Sequence, residues 1–206
     1  IIASGAIPVS CDVDRKTGFI STQAAEKLIT SATKAIMPVH YASQASGLND
    51  VYDLARLYKL RVVEDAAHAF GCKFEEKRIG SFGDVICFSF DGIKNITCGE
   101  GGAIVTQDAE VVRRAKDARL LGVVKDTEAR YGKTRSWDFD VKDRGFRYHL
   151  SNVMAAIGRE QLKKVEEFGE RRQRDALKYV NKLKDIKEIE LFDFHSLTLL
   201  LNVSFL

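Results

Sequence analysis

The chain has 206 residues, enough for one large α/β domain or for one domain with part of another. Hydrophobic residues make up 45% of it and charged residues 30%, the composition of an ordinary globular protein. The formal net charge of +3 is too small to indicate nucleic-acid binding, and the basic run at 171–174 lies among acidic residues, as on a solvated helix face.

Several other protein classes are disfavoured by the sequence. No apolar run reaches the ~18 residues of a membrane-spanning helix, and no signal peptide is recognisable. Four cysteines are scattered along the chain without a metal-ligand spacing: Cys11, Cys72, Cys87 and Cys98. This favours free thiols in a reducing cytoplasm. Because the chain begins at Ile1 without a methionine and stops in an apolar run at Leu206, we expect it to be part of a longer protein.

Strand-like and helical patterns alternate through the first 121 residues. Ser21 is a good N-cap for the first helix, and Pro38 indicates where the second strand ends. In chain order, the patterns predict a strand over 7–13, a helix over 21–30, a strand over 35–39, a helix from 49 or 50, a strand over 61–63, a hairpin over 72–80, strands over 85–90 and 102–106, and a helix over 108–121. This alternation predicts an α/β fold with a mostly parallel sheet covered on both faces.

The remainder of the chain is interpreted as a loop followed by long helices. Residues 122–144 are polar and lack periodicity, which predicts a long loop. A helical pattern begins near Ser151, and we expect it to break near Gly169 and to resume through Lys184. The apolar run at 197–203 predicts the first strand of a second domain.

Three chemically useful side chains lie at or just beyond the ends of apolar runs. Asp65 follows the run at 61–63, Ser89 lies near the end of 85–90, and Lys94 comes shortly after it. Because the carboxyl ends of strands in an open α/β sheet converge on one crevice, we expect these side chains to meet there. An aldehyde cofactor with a basic ring nitrogen and a phosphate needs such a set: an amine, a carboxylate and a small donor.

Simpler interpretations exist for the same residues. A carboxylate such as Asp65 often caps a following turn, and an isolated lysine is usually a surface charge. The position of Lys94 between a buried strand and a glycine-rich turn favours chemistry, because an enclosed amine loses hydration and can attack a carbonyl. The glycines of 99–102 are interpreted as a tight turn, since they lack the spacing of a nucleotide phosphate loop and lead into a strand.

An ordered series of motifs resembles one known family. The motifs are PVSCDVD (8–14), KAIMPVHY (34–41), EDAAHAFG (64–71), IGSFGD (79–84), FSFDGIKNITCGEGG (88–102) and GFRYHLSN (145–152). They are similar to those of the DegT/StrS-type sugar-nucleotide aminotransferases, pyridoxal-phosphate enzymes of fold type I. The resemblance extends to about Lys184, and the segment around Lys94 is its most specific part.

The resemblance implies a role for each site residue. Lys94 would form the internal aldimine with pyridoxal 5′-phosphate, and Asp65 would pair with the protonated ring nitrogen. His68 lies where the family has a glutamine or histidine beside the ring, although a histidine at a helix start is also a reasonable interpretation. Ser89 matches a hydroxyl that helps to hold the cofactor phosphate. Arg147 stands where many members have an asparagine that reaches the partner subunit's phosphate, and an arginine also suits a phosphate.

The resemblance also implies a reaction and a domain arrangement. An amino donor, expected to be glutamate, would aminate a nucleotide-linked keto-deoxysugar in a homodimer with shared active sites. Residues 1–150 would form the cofactor-binding large domain without its N-terminal part, and 151–206 the linking helices and the start of a C-terminal domain. The alternatives are another fold-type-I lyase or desulfurase, for which Cys98 is the local cysteine, and a non-catalytic fragment that keeps the cofactor motif.

Overall fold

The structure, a computed structural model, describes residues 1–124, 140–141 and 143–192. Its strands are β1 (Ala35–Ile36), β2 (Arg61–Asp65), β3 (Lys73–Phe74), β4 (Lys77–Arg78), β5 (Val85–Ser89), β6 (Gly102–Thr106), β7 (Val123–Val124) and β8 (Asp140–Val141). Its α-helices are α1 (Thr22–Glu26), α2 (Leu48–Tyr58), α3 (Ala109–Ala118), α4 (Asn152–Leu162) and α5 (Val165–Leu183). No α-helix in the described ranges is both long enough and apolar enough to cross a membrane.

Four strands form the main sheet, in the order β1-β2-β5-β6. The pairs β1–β2 and β2–β5 are parallel, and only β5–β6 is antiparallel. The predicted α/β fold with a mostly parallel sheet is therefore confirmed. The reversal at β6 follows from its connection, because residues 90–101 hold no helix and a parallel pair needs a longer crossover, usually a helical one.

Burial alternates along β2 and β5, so the two faces of the sheet differ. Glu64 is buried while Asp65 is half-buried, and Phe88 is buried while Ser89 is half-buried. The buried face packs in a core with α2, whose buried side chains recur at helical spacing: Leu48, Val51, Leu54 and Ala55. The other face of these two strands is less deeply buried, and it carries Asp65 and Ser89.

The N-terminal predictions were partly wrong. Residues 7–13 form no strand, because the turn at Asp14 folds the chain back so that Val13 makes only an isolated bridge with Ile20. Helix α1 begins at the predicted cap, where Ser21 Oγ accepts from the Ala24 amide at 3.3 Å, but it ends at Glu26. Hydroxyl side chains at 30–33 then bond to nearby backbone amides instead of continuing the helix.

The central predictions were closer. The strand over 35–39 is reduced to β1 and an isolated parallel bridge between Val39 and Asp65, because Pro38 cannot donate to a neighbouring strand. Helix α2 begins at Leu48, just before the predicted start. The hairpin predicted over 72–80 is formed by β3 and β4, and the helix predicted over 108–121 is α3, capped by Asp108.

The second half of the chain shows one error in a helix boundary. The helices separate at Lys163 and Lys164, not at Gly169, which is buried within α5. The helical pattern begins near Ser151 as predicted, and Ser151 caps α4, with Oγ accepting from the Met154 amide at 3.3 Å. The predicted loop over 122–144 contains the short antiparallel pair β7–β8. Its residues 125–139 and 142, and the strand predicted over 197–203, lie outside the described residues.

An ion pair joins the beginning of β2 to the residue before β5. Arg61 Nε and Nη2 each lie 2.6 Å from a carboxylate oxygen of Asp84, which also accepts from the Val62 amide at 3.1 Å. The Arg61 guanidinium holds the pKa of the Asp84 carboxyl below its usual range. This pair links the amino ends of β2 and β5, at the opposite end of the strands from Asp65.

We predict that Asp84→Asn lowers the free energy of unfolding by about 1 kcal/mol at pH 7, a modest value because the pair is partly exposed. The difference from the parent should shrink as the pH falls to about 3, because a carboxyl with a lowered folded-state pKa contributes stability above its unfolded pKa and loses it on protonation. Urea unfolding at the two pH values measures this. Asp185→Asn, at an exposed acid after α5, should change stability by less than about 0.5 kcal/mol. An equal deficit of the Asp84 variant at both pH values would contradict the explanation.

Candidate active site

Asp65 is the last residue of β2 and lies at the carboxyl edge of the sheet. Its backbone is bonded on both sides, since its amide donates to the Pro38 carbonyl and its carbonyl accepts from the His40 amide, each at 2.9 Å. Its carboxylate Oδ1 accepts from the Ala67 amide at 3.1 Å. This contact supports the interpretation of Asp65 as a cap of the following turn. The same contact orients the carboxylate of Asp65, whose side chain is half-buried.

Ser89 ends the neighbouring strand on the same face of the sheet. Asp65 lies opposite Cys87 in the parallel register, and Ser89 follows Cys87 by two residues, the repeat that returns a side chain to the same face. Ser89 Oγ accepts from the Asp91 amide at 3.3 Å. The acid and the hydroxyl therefore lie on adjacent strand ends, facing the same side.

Lys94 lies in the loop that reverses the chain between β5 and β6. Its amide donates to the Asp91 carbonyl at 3.1 Å. The base of the loop is closed by Phe90, whose amide donates to the Gly101 carbonyl at 2.9 Å and whose carbonyl accepts from the Cys98 amide at 3.0 Å. The Lys94 side chain is half-buried, and its turn begins at the residue that bonds to Ser89.

Asn95 fixes this turn, a structural role that the sequence did not predict. Its side-chain Nδ2 donates to the carbonyls of Phe70, at 2.7 Å, and of His68, at 3.3 Å. Its own carbonyl accepts from Arg172 Nη1, on α5, at 2.9 Å. Asn95 thus joins the lysine loop to the segment after Asp65. This link is visible from tertiary contacts but not from the spacing of residues in the sequence.

The pKa of His68 is influenced by two charged residues of the site, Lys94 and Asp65. Burial lowers its pKa, the positive charge of Lys94 lowers it further, and Asp65 acts in the opposite direction. Its ring is tilted by 54° to that of Tyr41, with the ring centroids 6.3 Å apart. The imidazole is therefore neutral at pH 7, a form in which one ring nitrogen donates and the other accepts.

Arg147 lies in an exposed segment that makes an isolated bridge to Leu120. Its neighbours Phe146 and Tyr148 stack with ring centroids 5.1 Å apart and an interplanar angle of 4°. These contacts do not test the phosphate role that the resemblance implies for Arg147, and that role stays a prediction.

Cys98 is poorly suited to act as a mobile nucleophile. All four cysteines are free thiols, but Cys98 is only 1% exposed. Its Sγ donates to the Glu100 carbonyl at 3.1 Å, and burial raises its pKa. A reactive cysteine is instead accessible and has a lowered pKa, so the structure disfavours the desulfurase alternative.

Comparison with known proteins identifies the family of the chain. The model of the DegT/DnrJ/EryC1/StrS aminotransferase family matches residues 1–204. The chain belongs to this family. Pyridoxal 5′-phosphate is the cofactor of these aminotransferases, so the predicted family, fold type and cofactor are confirmed.

Individual relatives show how much of the family's length is represented. An uncharacterized protein of Methanocaldococcus jannaschii is 39% identical over 187 residues, which cover 91% of this chain and 48% of that protein. The spore coat polysaccharide biosynthesis protein SpsC of Bacillus subtilis is 35% identical over 186 residues, covering 90% and 48%. The structure of Helicobacter pylori PseC, an aminotransferase involved in the biosynthesis of pseudoaminic acid, matches with a TM-score of 0.80 and 34% identity, covering 90% and 48%. The chain spans about half the length of these relatives.

We predict that Cys98 does not react with a thiol reagent at pH 7 until the chain unfolds, because its sulfur is buried and bonded. Cys11, which is half-buried, should react first. Labelling with iodoacetamide before and after addition of urea, followed by peptide mass spectrometry, measures both rates in one sample. Labelling of Cys98 in the folded chain as fast as that of Cys11 would contradict the burial argument and restore the desulfurase alternative.

Proposed function

We propose that this chain carries the central part of a pyridoxal-phosphate-dependent sugar aminotransferase, with Lys94 as the residue that joins the cofactor. The observation that supports this most directly is the placement of a carboxylate and a hydroxyl on adjacent strand ends, with a half-buried lysine in the following loop. Family membership gives the reaction class, aminotransfer. The assignment of each residue is our proposal.

The donor set fits the cofactor group by group. The Asp65 carboxylate is the acceptor that a protonated ring nitrogen requires, and the Ser89 hydroxyl is a donor for a phosphate oxygen. The charges of Asp65 and Lys94 both act on neutral His68, and we assign His68 to the edge or face of the cofactor ring. When bound, pyridoxal phosphate supplies an aldehyde for a primary amine and an electron sink for the carbon being aminated.

The chain's own residues then have defined tasks. Asp65 holds a proton on the ring nitrogen by its negative charge, and its bond to the Ala67 amide keeps it oriented. Lys94 would offer the amine that joins the aldehyde, and it would be placed to carry a proton to or from the reacting carbon. Asn95 limits the freedom of the lysine loop through its two carbonyl contacts.

The substrate class is proposed from the relatives. SpsC and PseC act in polysaccharide and pseudoaminic acid biosynthesis according to their names. We propose for this chain a nucleotide-linked keto-deoxysugar as acceptor and glutamate as donor. We further propose a homodimer in the cytoplasm, where four free thiols remain reduced. Residues 1–150 would belong to the cofactor-binding domain and 151–206 to linking helices and the start of a second domain.

We predict that the chain mixed with pyridoxal phosphate gains an absorption band near about 420 nm that borohydride abolishes, because a protein amine has joined the aldehyde. Lys94→Ala should lose the band. Lys116→Ala, which removes an exposed lysine of α3, should keep it. Equal bands in all three proteins would contradict the assignment of Lys94, and no band in the parent would favour the non-catalytic alternative.

Addition of glutamate separates the aminotransferase from a lyase. We predict that the band of the loaded parent disappears while pyridoxamine phosphate and 2-oxoglutarate accumulate in equal amounts, since the amino group stays on the cofactor. Chromatography of both products measures this. Ammonia release without pyridoxamine phosphate would contradict the proposal.

A further inference from the structure

A buried histidine, His40, bonds through its backbone amide to the Asp65 carbonyl and has no role in the proposed reaction. His40 is 0% exposed and Glu64 is 1% exposed. Nε2 of His40 lies 2.7 Å from Oε2 of Glu64, and Nδ1 lies 3.0 Å from the Gln44 carbonyl oxygen. Tyr52 donates from its hydroxyl to Oε1 of the same Glu64 at 2.6 Å.

The neighbours of the ring restrict where its protons are. The Gln44 carbonyl can only accept, so Nδ1 of His40 donates to it. Nε2 and Glu64 Oε2 then share one proton, as histidinium with carboxylate or as imidazole with carboxylic acid. The pair is neutral overall in both forms, which makes its complete burial tolerable, and each ring nitrogen has a partner of fixed direction.

These two ring contacts hold the segment of residues 38–44 in place. We call this segment the strap. Within the strap, Ala42 and Ser43 have φ values of 49° and 69°, a left-handed conformation that is unfavourable for residues with a Cβ. The bond from His40 to Gln44 closes the strap over these residues, and the bond to Glu64 ties it to β2. Backbone bonds close the same turn, from the Ser43 amide to the His40 carbonyl at 3.0 Å and from the Gln44 amide to the Tyr41 carbonyl at 2.9 Å, and the ring contacts of His40 add a buried restraint to them.

The strap in turn contacts two of the proposed cofactor-binding residues. Pro38 and His40 bond the backbone of Asp65 on both sides at 2.9 Å. Ser43 Oγ donates to the His68 carbonyl at 2.7 Å. The acid and the histidine are thus held by backbone and hydroxyl groups of one short segment.

We infer that His40 and Glu64 are positioning residues for the cofactor site. Their buried contact holds the strap, and the strap fixes Asp65 and His68 in the orientation needed to contact the pyridine ring of the cofactor. This inference rests on the proposed function. A general contribution to core stability does not explain the arrangement, because apolar side chains fill a core at lower cost than a buried ionisable pair.

The experiment uses the full chain with three variants. His40→Asn keeps a donor near the position of Nδ1 but loses the contact with Glu64. Ser43→Ala removes the hydroxyl that reaches His68 and serves if the first variant folds poorly. Val51→Ala is the control, because Val51 is a fully buried core residue of α2 whose truncation lowers stability without removing a strap contact.

Two readouts are compared. The dissociation constant for pyridoxal phosphate comes from titration of the band near about 420 nm, and hydrogen exchange of the 65–68 backbone is measured without cofactor. We expect His40→Asn and Ser43→Ala to raise the dissociation constant by about tenfold or more, a loss of about 1.4 kcal/mol of binding, and to speed exchange of 65–68. Val51→Ala should change the dissociation constant by less than about twofold while lowering the unfolding midpoint.

The outcomes separate this inference from the proposed function. Parent-like affinity and exchange in both strap variants would overturn the inference and leave the function intact. The inference would also be overturned if all three variants lost affinity for pyridoxal phosphate in proportion to their loss of stability. A parent without the band would contradict the proposed function, and the exchange measurement, which needs no cofactor, would then still decide whether His40 holds residues 65–68.

Discussion

In the parallel pair formed by β2 and β5, Asp65 lies opposite Cys87, and this register decides where the candidate site is formed. A shift of one residue would place the side chain of Asp65 on the buried face and that of Glu64 on the open face. The observed register puts an acid and Ser89 on the same side at neighbouring strand ends. The remaining features of the site, the lysine loop and the strap, are attached to these two strand ends.

The two attachments differ in kind. Lys94 lies in the short loop between β5 and β6, an antiparallel pair that needs no helical crossover. The strap reaches it through the buried contact between His40 and Glu64. Breaking one partner of a buried pair costs about 3–5 kcal/mol, whereas polar contacts in the loop are individually worth about 1 kcal/mol. The segment that holds the backbone of Asp65 thus depends on the costlier contact, which suits the proposed roles of Asp65 as a fixed charge and of Lys94 as a residue that moves.

Much of the fold and of the site is predictable because it is encoded locally. Alternating strand and helix patterns predicted the sheet, the hydroxyl of Ser21 marked the beginning of α1, and Pro38 marked the region where the second strand ends. The apolar runs alone were sufficient to locate Asp65 at a strand end and Lys94 in the loop after the next buried strand. The error at Gly169 arose because a glycine within a helical pattern predicts a break, while packing within α5 tolerates it.

The parts that sequence did not predict depend on contacts between distant residues. Asn95 and Arg172 are 77 positions apart, and His40 and Glu64 are 24 apart. Residues 7–13 have strand propensity but no neighbouring strand along them in the described ranges, so propensity alone misled. Both faces of the sheet were expected to be covered, and the alternation of Glu64 with Asp65 shows that one face is buried more deeply than the other.

The proposed function depends above all on Lys94 being the lysine of this chain that joins the cofactor. Mixing the chain with pyridoxal phosphate, reducing with borohydride and locating the attached pyridoxyl group by peptide mass spectrometry identifies that lysine, since reduction makes the linkage permanent. We expect the label to be concentrated on the peptide containing Lys94, at one group per chain. A label spread over exposed lysines, or concentrated on another residue, would contradict the assignment.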